Sequence, residues 1–248
     1  MRRCLLSLFT LVGLSGVGQW SAGAVSCVDP ATLVHSTVGL TREFSMEERA
    51  AAPAVLGIRG TGWFLSPRLL VTAAHVAEAM RLSRQDWKDV ALREQEAETA
   101  VPARIVRVVG AHAEKMAVLE LKGAFAGAAA LRVRTAPLVA EERLLSLAYP
   151  NGELRFASGR FAQYGDEGGF AGAAMIEMYD GNDRLVLDHG ASGAPVLDCE
   201  GRVVAVVSTL MTRTLNLPTG AVRVSTAWQT PNVLSIPAED LADVSRTE

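Results

Sequence analysis

Short apolar runs rich in Val, Leu and Ile recur along the chain, cut by Gly, Pro and Asn. Their length, alternation and bounding turn residues predict strands at 54–59, 61–66, 68–72, 101–109, 116–121, 143–148, 154–162, 173–178, 184–188, 194–198, 202–209 and 221–226. Asp198-Cys199-Glu200-Gly201, between two apolar runs, reads as a hairpin turn. Residues 73–80 read as a short helix, and 84–98 as a second one on weaker periodicity. Pro237 opens a terminal helix, with proline in the first turn. Residues 122–142 differ, being Ala- and Gly-rich and then carrying Arg132, Arg134 and Pro137. They read as a connection between two halves, 25–121 and 143–248. Many short strands at close spacing predict an all-β barrel or sandwich. No repeat is visible by residue identity.

Composition narrows the class. Half of the 248 residues are hydrophobic (49 %) and 21 % are charged, which suits a globular chain. Aromatics are only 6 %, so Val, Leu and Ala must fill the core. The net charge is -3, and no Lys/Arg stripe is present, so no nucleic-acid partner is expected.

The first residues read as an address. Met1-Arg2-Arg3 is followed by an apolar run from Cys4 to Val17 and by Ala22-Gly23-Ala24. A basic start, a hydrophobic stretch and an A-x-A site make a signal peptide, 1–24, cleaved after Ala24. Gly13, Ser15, Gly16 and Gly18 make the run a poor membrane helix. The mature protein is therefore expected to be periplasmic or secreted, with no membrane span. Arg2-Arg3 leaves twin-arginine export open, and Ala24-Val25-Ser26-Cys27 weakly resembles a lipoprotein cleavage box. Cys27 and Cys199 remain after cleavage. An exported chain joins such a pair in one disulfide, or keeps two thiols, or carries lipid on Cys27.

The chemistry centres on Ser192, in Gly190-Ala191-Ser192-Gly193-Ala194-Pro195-Val196. Flanking glycines let a substrate approach the backbone and let two amides converge as an oxyanion hole. A serine hydroxyl is a weak nucleophile and needs a neighbouring base. All four histidines, His35, His75, His112 and His189, precede Ser192. That order excludes an α/β-hydrolase, whose histidine follows the serine, and suits chymotrypsin-type chains. His75 lies in Leu70-Val71-Thr72-Ala73-Ala74-His75-Val76, where a strand breaks into a helical turn.

Gly60-Thr61-Gly62-Trp63-Phe64-Leu65 with Leu69 to Val76 resembles the first-barrel segment of trypsin-like serine peptidases, especially bacterial ones related to the HtrA proteases. Ala148-Tyr149-Pro150-Asn151-Gly152 with Ser158-Gly159-Arg160 is similar to the start of their second barrel. Gly190 to Val196 and Arg202 to Thr209 resemble the nucleophile loop and the strand lining the cleft. The resemblance runs from about 55 to 210. It implies two six-stranded antiparallel β-barrels with the active site between them, acting on a polypeptide substrate without cofactor. Ser192 is then the nucleophile, His75 the general base, and the amides of Gly190 and Ser192 the oxyanion hole. Ser208 falls where the family pairs with the substrate backbone. Once the second barrel is built, too few residues follow Ser192 for a PDZ domain, so HtrA-type regulation is not expected.

One position departs from the pattern. The family's acid opens a strand of the type Asp-x-Ala-Val-Leu, and here Lys115 opens Lys115-Met116-Ala117-Val118-Leu119. A cation there opposes the imidazolium that the acid should stabilise. Glu114 substitutes if the strand starts with a bulge. Alternatively His112 serves in a variant relay, or the chain is a bare Ser192–His75 dyad or an inactive homologue that holds peptides without cutting them. If residue 115 is the acid's place, Lys115→Asp should raise activity. The specificity pocket of the family has its floor six residues before the nucleophile, here Val186, followed by Leu187. With His189 on the rim, this predicts small or medium aliphatic residues before the scissile bond. His35 reads as a surface or packing residue, and Trp63, Trp87 and Trp228 as core or boundary residues. No histidine or cysteine spacing suggests a metal.

Overall fold

The computed structural model describes residues 27–244 apart from 51, 112–113, 168, 183–186, 188, 211, 218–219 and 226–230. The signal-peptide reading of 1–24, together with His112, Val186 and Trp228, lies outside the described residues.

Six strands close the first barrel: β1 (Thr37–Glu43), β2 (Gly57–Ser66), β3 (Leu69–Ala73), β4 (Lys88–Glu94), β5 (Ala97–Val109) and β6 (Met116–Leu121), in the order β1-β2-β3-β6-β5-β4. Six more close the second: β7 (Arg143–Ala148), β8 (Arg155–Glu167), β9 (Phe170–Tyr179), β10 (Pro195–Leu197), β11 (Val203–Leu210) and β14 (Val233–Pro237), in the order β10-β11-β14-β9-β8-β7. Between β11 and β14 the chain makes a separate two-stranded hairpin, β12 (Thr212–Leu217) with β13 (Gly220–Ser225). All named strand pairs are antiparallel. Two short α-helices, α1 (Met46–Arg49) and α2 (Ala74–Ala79), lie in the first half. Among the described residues no helix is long and apolar enough to cross a membrane.

The period of two along each strand builds two different surfaces. Phe64, Leu70 and Leu119 point into the first barrel. Their neighbours Trp63, Val71 and Val118 point outward and join the apolar core of the second barrel, with Leu147, Ala194, Val206 and Ile236. The outer faces of β2, β3 and β6 are thus sealed against the second barrel, and the loops at the end of this seam form the cleft.

Several expectations are corrected. The helix read at 84–98 is strand β4 and the start of β5, because pairing with β1 on one side and within the β4–β5 hairpin on the other overrides helix propensity. The runs 54–59 and 61–66 form one strand, β2. Strands β1, β4, β12 and β14 were not predicted. Of the strand read at 184–188, Leu187 lies outside any strand, and the other positions lie outside the described residues. The tail from Ala238 to Asp243 is a 3-10 helix behind Pro237.

Cys27 and Cys199 are disulfide-bonded, and the Val28 amide donates to the Cys199 carbonyl at 2.9 Å. The segment leading into the first barrel is thereby fastened to the β10–β11 turn of the second. Of the states expected for this cysteine pair, the structure has the disulfide.

Candidate active site

The six residues of α2 follow β3 directly, and no side chain caps the helix start. The cap comes from elsewhere: the Ala74 amide donates to the Lys115 carbonyl at 2.8 Å. This contact fixes the base of His75 against the loop 110–115, which joins β5 to β6. Gly110 has φ +133°, and a Cβ there would lie 3.2 Å from the Glu114 carbonyl oxygen and from the Lys115 Cα. The loop therefore closes tightly enough to turn successive side chains apart. Lys115 is exposed, while Glu114 reaches His75.

His75 Nδ1 lies 3.2 Å from Glu114 Oε2. In that geometry the Nδ1–H donates to the carboxylate, and Nε2 is free to accept a proton. Ser208 Oγ donates to the same carboxylate oxygen at 3.0 Å. The hydrogen bond from His75 and then that from Ser208 hold the Glu114 carboxyl below the usual carboxylate range, against the opposing effect of partial burial. The carboxylate that meets His75 thus comes from the loop, one residue before the position expected for the acid. No bulge opens β6, because Met116 pairs in register with Val109.

The nucleophile loop hangs on the first barrel. Thr61 of β2 is fully buried and grips this loop twice. Its hydroxyl donates to the Gly190 carbonyl at 2.7 Å, and its amide donates to the Ser192 carbonyl at 2.9 Å. The Tyr149 amide in turn donates to Thr61 Oγ1 at 3.0 Å. Gly193, at φ +92°, passes so close to β2 that a Cβ would sit 2.1 Å from the Thr61 carbonyl oxygen. Among the described residues the amides of Gly190 and Ser192 have no hydrogen-bond partner. The Ser192 hydroxyl donates to the Ser208 carbonyl at 2.8 Å, rather than to the His75 ring.

His75, His189, Gly190, Ser192 and Ser208 line one open cleft of about 860 Å³ between the barrels. Glu114 sits behind His75. Leu187, expected in a specificity pocket, is fully buried in the core of the second barrel and is not part of the cleft wall. His35 is an exposed surface residue paired with Glu94. Sequence reasoning missed Thr61 as the residue that positions the nucleophile loop. It also missed the Ser208 carbonyl as the partner of Ser192. The only signal was the position of Thr61 between two glycines, because the contacts themselves span 129 and 16 residues.

Comparisons with known proteins bear on the fold and the family. No curated protein sequence matches the chain. Among solved structures, the Rv3671c protease of M. tuberculosis in its active form is similar at 16 % identity and TM-score 0.59, covering 97 % of this chain and 92 % of that one. The inactive form of the same protease gives 17 % identity and TM-score 0.56 over 86 % and 88 % of the two chains. An HtrA-type protease, the AlgW variant solved with a tripeptide, gives 15 % identity and TM-score 0.56 over 89 % and 63 %. At these identities the likeness is one of fold. Residues 60–206 match the trypsin-like peptidase domain, and the chain belongs to that family of serine peptidases.

Proposed function

We propose that the protein is an exported serine endopeptidase that cleaves peptide bonds through an acyl-enzyme on Ser192. The observation that carries this reading is the Glu114 carboxylate on His75 Nδ1 in the cleft that also holds Ser192. Glu114 keeps the imidazole in the tautomer whose Nε2 accepts a proton and stabilises the imidazolium that results. Rotation about the Ser192 Cα–Cβ bond moves the hydroxyl from the Ser208 carbonyl to Nε2. The oxygen attacks the scissile carbonyl, His75 takes its proton, and the oxyanion forms beside the free amides of Gly190 and Ser192. His75 then protonates the leaving amine, and water releases the acyl group by the same route in reverse. The signal-peptide pattern of 1–24 and the Cys27–Cys199 disulfide support export. Ser208 pairs its carbonyl with the substrate backbone, and His189 stands on the rim of the acyl side. The residue before the scissile bond is small or medium aliphatic, a reading carried by Val186.

A second reading has its own support. The Ser192 hydroxyl is engaged with the Ser208 carbonyl, an arrangement suited to a cleft that holds peptides without cutting them. A fluorophosphonate probe separates the two. Labelling of the mature protein that is lost in Ser192→Ala establishes the enzyme. A folded protein that binds peptides and stays unlabelled establishes the binding module.

A further inference from the structure

The cleft does not end at the reactive groups. It continues past His75 along the ends of β1 and β2 to residues 54–56, which lead into β2. Thr61 is held to the nucleophile loop, and each residue back along β2 lies about 3.3 Å farther from that loop. Ile58 and Ala79 of α2, which also lines the cleft, come first, followed by Leu56 and Val55. Leu56 is 64 % exposed and Val55 38 % exposed. Their backbone is nevertheless fixed. The Phe44 amide donates to the Leu56 carbonyl at 2.9 Å, and the Val55 amide donates to the Ala52 carbonyl at 3.0 Å. Single exposed apolar side chains are ordinary, but adjacent ones on ordered backbone, sharing a cleft with a nucleophile, form a surface that gains from being covered.

The chemistry assigns this surface to one half of the substrate. The acyl half stays bonded to Ser192. The amine half takes its proton from His75 and departs over the imidazole, toward α2 and residues 54–58. Glu43 and Arg59 also line this side, on neighbouring strands and with opposite charge, so neither sign of substrate charge is favoured.

We infer that the leaving side of the cleft selects aliphatic side chains on the first two residues after the scissile bond. Ile58 and Ala79 lie beside the first, and Leu56 and Val55 beside the second. This selectivity rests on the acyl-enzyme reading above, and its test reports on the two separately. The mature enzyme is acylated with N-acetylalanine p-nitrophenyl ester, and the acyl group is partitioned between water and added dipeptide amides. The amine nitrogen attacks the ester carbonyl, the new C–N bond forms, the bond to Ser192 Oγ breaks, and the amine proton passes through His75 to that oxygen. Leu-Leu-amide is expected to capture roughly tenfold more acyl group than Gly-Gly-amide, Glu-Glu-amide or Arg-Arg-amide. Leu56→Ala and Leu56→Glu, at an exposed position that the fold does not need, are expected to bring that ratio most of the way to one. Equal capture of all four amides, with the acyl-enzyme visible by intact mass, overturns the selectivity and leaves the acyl-enzyme standing. No acyl adduct, with the wild type behaving like Ser192→Ala, overturns both.

Discussion

The two barrels have the same strand order, and their equivalent connections carry different parts of the site. In each, the third strand of the barrel leads to the fourth through a segment at the cleft. In the first barrel that segment, between β3 and β4, holds α2 and His75. In the second, between β9 and β10, it holds Gly190 and Ser192. The connection from the fifth strand to the sixth differs more. It is the tight loop 110–115 with Glu114 in the first barrel, and the excursion with β12 and β13 in the second. The barrels thus act as two copies of one scaffold that bring equivalent loops face to face. His75 and Ser192, far apart along the chain, line one cleft.

The largest expected effects fall on the paired connections. Ser192→Ala and His75→Ala should each lower kcat/KM by a factor on the order of 10⁴ or more, and the double variant should be no worse than either. Additive losses, measured on one peptide substrate, would break the view that the two loops form a single unit. Next comes the fifth-to-sixth connection. Glu114→Gln should cost about 10²- to 10⁴-fold, because the amide cannot stabilise the imidazolium. Lys115→Asp should bring no gain, since residue 115 offers its carbonyl to α2 and its exposed side chain does not serve His75. A gain would return the acid's place to residue 115.

Smaller losses are expected where one barrel holds the other's loop. Thr61→Val removes the hydroxyl that donates to the Gly190 carbonyl and leaves that partly buried carbonyl without this partner, at a cost of about 1–3 kcal/mol. Thermal unfolding should register this, and probe labelling of Ser192 should slow. The smallest effect is on pH dependence. The Glu114 carboxyl is held below its ordinary range, so its contribution to stability is fully present above that range and is lost as the pH falls through its lowered value. The stability difference between wild type and Glu114→Gln should therefore be constant at neutral pH and shrink in acid. A difference that grows in acid would contradict the hydrogen bonds assigned to this carboxylate.

What the chain reveals before folding follows the same division. Gly60 to Val76 and Gly190 to Val196 were legible because local backbone demands and reactive side chains fall together in short stretches. The identity of the acid was less legible. The family's strand motif pointed to Lys115, and the closure of the loop at Gly110 accompanies the turn of Glu114 toward the ring. Strand β4 was hidden by residues that favour helix in isolation, Lys88 to Glu94, and of its two partners β5 is the next strand of the same hairpin while β1 is distant in the chain. Strand β14 is five residues ending in proline, too short to stand out from a tail. The repeat of the barrel is a property of hydrogen-bonded order, and the two halves keep it without shared residues.

The bond between Cys27 and Cys199 spans 172 positions and makes most of the protein a covalent ring. The whole first barrel, the inter-barrel connection and the nucleophile loop lie within it. A single cut in any exposed loop of that ring, including one made by another copy of the same peptidase, opens the circle without releasing a fragment. Damage of this kind leaves the two pieces joined as one molecule until a reductant reaches the sulfurs.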